Sequence, residues 1–262
     1  MILKEVEMKR ILLSGCNGKM GRIIAGCVRE RRDCTIVAGI DPCGRPLDGF
    51  PVFTAPSDCA VEADVIIDFS HPDALEPLLQ YAAAAHLPAV IATTGLSQAQ
   101  TEQIRRISAS IPLFFTANMS LGVNLLMELA KKAAAVLGGQ FDIEIIEKHH
   151  NQKIDAPSGT ALMLADAVSD VLEKRPKYVY DRHVMREKRT KDEIGIHAVR
   201  GGTIVGEHEI LFAGRDEVLT LSHTAMSKEV FATGSINAAL FLCGRPNGLY
   251  NMGDLVSGMA GQ

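Results

Sequence analysis

The chain has no excess of positive charge: 27 Lys and Arg stand against 31 Asp and Glu, a formal balance of -4 at pH 7. Without a basic footprint, neither nucleic acid nor an anionic membrane surface is an expected partner. No apolar run approaches the roughly 18 residues of a membrane-crossing helix, and residues 1–7 carry acids where a leader would be basic and then apolar. The expected location is the cytoplasm, and residues 1–7, read as an extension, are given no function. The six cysteines show no C-x-x-C spacing, which suits neither a zinc cage nor a disulfide framework and leaves free thiols in a reducing compartment. No internal repeat and no low-complexity tract is found. What remains is 262 residues, 47% hydrophobic and 22% charged, close to the averages of globular chains. At about 150 residues per domain there is room for one large or two small domains.

The first half alternates in period. Ile11-Leu12-Leu13-Ser14 reads as a buried strand, and the apolar residues after Gly21 recur at helical spacing. Further strand-like runs at 35–40, 65–69, 89–93 and 113–116 are separated by helical stretches at 72–85 and 97–109. Strands alternating with helices imply a parallel sheet with helices on both faces. After Asn118 the pattern changes: helix at 123–137, strand at 141–148, helix at 159–174, then strands at 194–199, 203–212 and 218–222 in succession. The crowded charges of 175–191 read as an exposed loop, and a last helix at 228–242 returns to the first domain. The expected fold is α/β: a Rossmann-type doubly wound parallel sheet over residues 1–120, completed by 231–262, with a second α+β domain at 121–230 carrying a mixed or antiparallel sheet.

Gly15-x-x-Gly18-x-x-Gly21 is a spacing variant of the dinucleotide fingerprint, whose glycines allow a tight turn, close approach to a pyrophosphate and helix-on-strand packing. A bare strand-to-helix turn is the plainer reading. Context favours the cofactor, because Asp41 closes the next strand 20 residues after Gly21, where a carboxylate binds ribose hydroxyls. Pro42 follows and offers a 2′-phosphate neither charge nor N–H, so the reading leans to NADH, with Lys19 and Arg45 as groups that could still reach NADPH. Ala92-Thr93-Thr94-Gly95 and Thr116-Ala117-Asn118-Met119 sit at strand ends, where ligands of open α/β sheets collect.

The richest stretch runs from Glu144 to Ala161 and holds acid, base and anion-binding groups together: His149, His150, Lys153 and the turn Pro157-Ser158-Gly159-Thr160. Ser158 is placed as the N-cap of the following helix, whose first N–H groups, at Gly159 and Thr160, suit a carboxylate. Successive strand residues face opposite ways, so His149 and His150 are not expected to chelate one ion, and no metal is expected.

From Glu144 to Ala161 the chain matches E-x-x-E-x-H-x-x-x-K-x-D-x-P-S-G-T-A without a gap. In this it resembles the 4-hydroxy-tetrahydrodipicolinate reductase family. The resemblance extends to the glycine loop, Thr93-Thr94-Gly95, Ser120-x-Gly122-x-Asn124 and Arg200-Gly201-Gly202-x-x-x-Gly206-Glu207-His208. It implies a nicotinamide-dependent reductase of the diaminopimelate route to lysine, a homotetramer whose second domain supplies the site for a small dicarboxylate and the subunit interface. By matching position, His149 would donate or accept the proton and Lys153 would be a second donor, while His150, Ser158, Gly159 and Thr160 would bind substrate. The cofactor would lie on Gly15, Cys16, Asn17, Gly18, Lys19, Met20, Asp41, Ala92, Thr93, Thr94, Thr116, Ala117, Asn118 and Met119. The chain departs from many relatives at Asn237, where they carry Arg, and at Ala92, where they carry Gly. Another dehydrogenase of the same architecture and a non-catalytic dinucleotide sensor stay open as alternatives.

Overall fold

The computed structural model describes residues 7–47 and 49–260, so residues 1–6 of the expected extension lie outside the described residues. The chain runs β1 (Lys9–Ser14), α1 (Lys19–Arg29), β2 (Cys34–Ile40), β3 (Val52–Phe53), β4 (Val65–Asp68), α2 (Leu75–Ala84), β5 (Ala89–Ile91), α3 (Gln98–Ile107) and β6 (Pro112–Phe115). It continues with α4 (Leu121–Leu137), β7 (Asp142–His149), α5 (Gly159–Ser169), β8 (Lys177–Val179), β9 (Glu193–Arg200), β10 (Gly206–Ala213) and β11 (Val218–Ala225). It closes with α6 (Glu229–Leu242), β12 (Gly248–Tyr250) and α7 (Met252–Ala260). Two compact units result, one of Met1–Leu121 with Lys228–Gln262 and one of Gly122–Ser227.

In the first unit the strand order is β12-β6-β5-β4-β1-β2-β3, with every neighbouring pair parallel. Strand side chains alternate in direction, so β1 feeds two cores. Ile11 and Leu13 pack with Ile24 and Val28 of α1 and Ile236 and Leu242 of α6. Leu12 faces the other way, onto Leu75, Leu78 and Leu79 of α2 and Ile104 of α3. Both faces are thus covered, which explains why these strands read as unbroken apolar runs. Helix α3 starts where its chemistry dictates: Ser97 accepts from the Gln100 backbone while the Gln100 side chain accepts from the Ser97 N–H, a capping box. Asn237 accepts from Arg31, joining α6 to the turn that follows α1.

The second unit carries a five-stranded mixed sheet, β11-β10-β7-β9-β8. β10 runs antiparallel to both β7 and β11, whereas β7 and β8 run parallel to β9. Ile143 and Ile145 of β7 point to the helix-covered core with Leu126, Leu164 and Phe212.

Two segments differ from the expectation. The helix expected over 159–174 stops at Ser169, where Asp170 caps it with its N–H on the Asp166 carbonyl, and Leu172 packs on the same core from the turn that follows. The expected loop at 175–191 contains β8, whose Tyr178 hydroxyl donates to Asp166 and bonds Ser169. Three residues are too few to display a period. Nor are the charges of that segment simply solvated: Arg189 donates to Asp142, Glu144 and the carbonyls of Ile143 and Glu193.

Candidate active site

The glycine loop is built for close backbone approach. Gly15 has φ +77, and a Cβ there would stand 2.5 Å from the Phe69 carbonyl oxygen. A Cβ on Gly21 would stand 2.3 Å from the Gly15 oxygen, so α1 can meet the turn only at glycine. Gly18 begins α1 with no side-chain cap and no acid in the first turn, which leaves the positive end of the helix for an anion. Asp41 accepts from the Asn17 N–H at 3.0 Å and from the Cys43 N–H at 3.0 Å, one bond per oxygen, so lone pairs remain for a ribose diol. Asn17 also exchanges side-chain bonds with the Arg45 backbone, tying the two loops together. Cys16 packs under the turn, fully buried, while Lys19 is exposed.

Beyond the loop, a cavity of about 410 Å³ is lined by Met20, Phe69, Ser70, Ala92, Thr93, Thr94, Thr116, Ala117, Asn118, Met119, Lys228 and Phe231. Its shape depends on Asp68, fully buried at the end of β4, which accepts from Thr93 Oγ1 at 2.6 Å and from the Ser70 N–H at 3.2 Å. Burial pushes the Asp68 carboxyl above the usual carboxylate range. A second cavity, of about 480 Å³, opens against Gly15, Pro42, Thr54, Pro56, His71 and Asp73 among others. The sequence-selected residues of the first unit therefore collect around one loop and one cavity. Phe69 and Ser70 were missed, although they end a strand just as residues 92–94 do. Lys228 and Phe231 carry no local signal at all.

The second unit gathers the histidine segment at the end of β7. Glu147 is fully buried. Arg200 grips it with two bonds of 2.7 Å, the Ser158 N–H donates to it at 2.9 Å, and His149 Nδ1 lies 2.6 Å away. Burial opposes its charge, but Arg200, His149 and the Ser158 N–H outweigh burial and hold the carboxyl below its ordinary range. Ser158 caps α5, accepting from the Ala161 N–H at 3.1 Å, and its hydroxyl lies 3.0 Å from His208 Nε2. The His149 and His208 rings meet edge to face at 5.2 Å. The loop between is pinned: Asn151 N–H donates to the Gly202 carbonyl, Gly201 N–H to that of His149, and Arg200 to that of Asp155. Lys153 pairs with Asp155 at 2.8 Å, and this bond lowers the Asp155 carboxyl. Among the described residues, the Nδ1 of His150 is buried without a bonding partner, and nothing crowds the open side of Gly159.

The structure separates one expected member of the cluster. Glu144 points to the other face of the sheet, to Arg189 and His197, because it lies an odd number of residues from Glu147 on the same strand.

His208 gives a pH prediction. Burial, with His149 beside it, pulls this imidazole down to about 4. The unfolded chain takes up a proton at this position below roughly pH 6.5, whereas the folded chain does so only near 4. Stability is therefore lost as pH falls through that window. The urea midpoint should decline between these values in the parent chain, and His208→Gln should flatten that decline.

A glycine turn on a helix start, followed by a carboxylate that closes the adjacent parallel strand, is how oxidoreductases of this architecture hold a nicotinamide dinucleotide. The chain is an oxidoreductase of that class. Its sequence matches two family profiles, "Dihydrodipicolinate reductase, N-terminus" over residues 9–119 and "Dihydrodipicolinate reductase, C-terminus" over residues 122–256. The chain belongs to the dihydrodipicolinate reductase family. A relative from Caldanaerobacter subterraneus is 54% identical over 249 residues, covering 95% of this chain and 98% of its own. One from Clostridium tetani is 50% identical over 245 residues, covering 94% and 96%. Both are named 4-hydroxy-tetrahydrodipicolinate reductase. A dipicolinate-bound dihydrodipicolinate reductase from a Paenisporosarcina species superimposes with a TM-score of 0.79 at 27% identity, over 93% of this chain and 97% of that one.

Proposed function

We propose that this chain reduces 4-hydroxy-tetrahydrodipicolinate, a cyclic hydroxy-imine dicarboxylate, to tetrahydrodipicolinate. The observation that carries this is the buried His149, Glu147 and Ser158 cluster, built from the ungapped signature segment. The dipicolinate held by the Paenisporosarcina reductase supports a dicarboxylate of this shape. When bound, the reduced dinucleotide supplies hydride to ring C4. His149 gives the proton to C3 once water has left. An imidazole is suited to that transfer near neutral pH. Lys153, held by Asp155, neutralises a substrate carboxylate and the charge that develops on the ring. The helix start at Ser158, Gly159 and Thr160 takes the second carboxylate by its dipole, and His150, whose buried Nδ1 has no partner among the described residues, binds the same ligand. Gly15 to Met20, Asp41, Ala92 to Thr94 and Thr116 to Met119 hold the dinucleotide.

The cofactor reading leans to NADH, because the anchored Asp41 carboxylate would repel a 2′-phosphate and Pro42 offers it no donor. Lys19 and Arg45 are the groups that would oppose this. The family resemblance supports a homotetramer working in the cytoplasm, testable by sedimentation of the purified protein.

The deciding experiment supplies substrate in place from pyruvate and aspartate semialdehyde through the preceding synthase and follows cofactor oxidation. Expected is oxidation that depends on both precursors, faster at low cofactor with NADH than with NADPH. Binding of cofactor without oxidation would overturn the assignment in favour of a sensor, and turnover only with another substrate in favour of a different dehydrogenase.

A further inference from the structure

We infer that Glu147 is a positioning residue for proton transfer: clamped by Arg200, it keeps the proton of the His149 imidazole on Nδ1 and so makes Nε2 the atom that exchanges a proton with substrate. The inference rests on the reading of His149 as the proton donor.

Glu147 Oε1 receives the Ser158 N–H at 2.9 Å and Arg200 Nη2 at 2.7 Å, and Oε2 receives Arg200 Nη1 at 2.7 Å. These three are obligate donors, and with them Glu147 stays ionised although fully buried. An ionised carboxylate can only accept. The fourth neighbour, His149 Nδ1 at 2.6 Å from Oε2, must therefore bring the hydrogen. The neutral ring then carries its lone pair on Nε2, and the charged ring carries its exchangeable proton there.

The rest of the surroundings agrees. A Cβ on Gly206 would stand 3.1 Å from His149 Nε2, so the absence of a side chain keeps that nitrogen open. His208 from β10 meets the ring edge to face and, with its imidazole lowered to about 4, adds no charge at neutral pH. His223 of β11 lies opposite His208 in register and is lowered by its own burial. Lys148 is taken up by Glu207, and Lys153 by Asp155. Arg200 and Glu147 are left as the charges in direct contact with this arrangement. One carboxylate thereby orients the proton donor and, through the Ser158 N–H, the anion-binding helix start.

Glu147→Gln tests this without changing shape. With its carbonyl on Ser158 N–H and Arg200 Nη2, the amide turns its NH2 to Arg200 Nη1, whose bond is lost, and to His149 Nδ1, which accepts from it once the imidazole proton moves to Nε2. Expected is a kcat lower by about 10²- to 10⁴-fold with substrate KM near that of the parent. The acid limb of the pH–rate profile should be displaced. The ¹⁵N shifts of the His149 ring should change from an Nδ1–H to an Nε2–H pattern, and in a His149→Ala background Glu147→Gln should cost no further rate. Parent-like turnover in Glu147→Gln beside an inactive His149→Ala would overturn the positioning role alone, and so would an equal rate loss in both backgrounds. Parent-like turnover in His149→Ala would instead remove the reading on which it rests. If Glu147→Gln does not fold by circular dichroism, the ¹⁵N pattern of the parent decides, and a proton on Nε2 of the neutral ring overturns the inference.

Discussion

Replacing His149 with Ala lowers kcat by about 10²- to 10⁴-fold, the usual cost of losing a general acid, while the protein stays folded. The fold survives because the partners of His149 have other anchors: Glu147 keeps both Arg200 bonds and the Ser158 N–H, and Ser158 keeps Ala161. Cofactor affinity should be unchanged, since the glycine loop and Asp41 belong to the other unit. The measurement is steady-state turnover beside a thermal melt and a cofactor titration. Lys153→Ala differs in kind: it removes a charge that binds substrate as well as one that stabilises the reacting ring, so KM rises as kcat falls. Parent-like turnover in both variants would refute the assignment of roles.

The largest effect on stability belongs to Arg200→Leu. Among the described residues, its guanidinium is the only full positive charge bonded to the fully buried Glu147. Removing one partner of a buried ion pair strands the other, at about 3–5 kcal/mol. The pH dependence has a definite sign. In the parent, the lowered Glu147 carboxyl contributes stability that is present above the unfolded value of about 4.3 and lost as pH falls through the folded one. Arg200→Leu lacks most of that contribution, and its stranded carboxyl relieves itself by protonation, so the gap between parent and variant closes in acid. Replacing Glu147 with Leu as well should recover much of the loss, because no orphan charge then remains. Urea unfolding at neutral and acid pH checks all three statements.

Much of this was readable in advance. The parallel sheet followed from apolar runs alternating with helical periods, and the capping of α5 by Ser158 followed from a Ser-Gly-Thr turn before an apolar stretch. β8 was hidden because an edge strand of three residues has no period to display. Lys228 and Phe231 were hidden because they reach the cavity only when α6 returns to the first sheet, far along the chain from the glycine loop.

The chemistry of the second unit divides in the same way. Alone, the sequence determined which groups are available: His149, Lys153, the helix start, and the strand parity that sends Glu144 and Glu147 to opposite faces. Tertiary structure decided which of them work together. In the sheet, His149 stands in register with Arg200 of β9 and Glu147 with His208 of β10. Those partners lie 53 and 61 residues from Glu147 in the chain (200 − 147 and 208 − 147), beyond the reach of any local pattern. A slip of one residue in either pairing would turn Arg200 or His208 to the opposite face. Whether the buried carboxylate is satisfied, and on which nitrogen the imidazole carries its proton, is thus settled by strand register, which exists only once the sheet has formed.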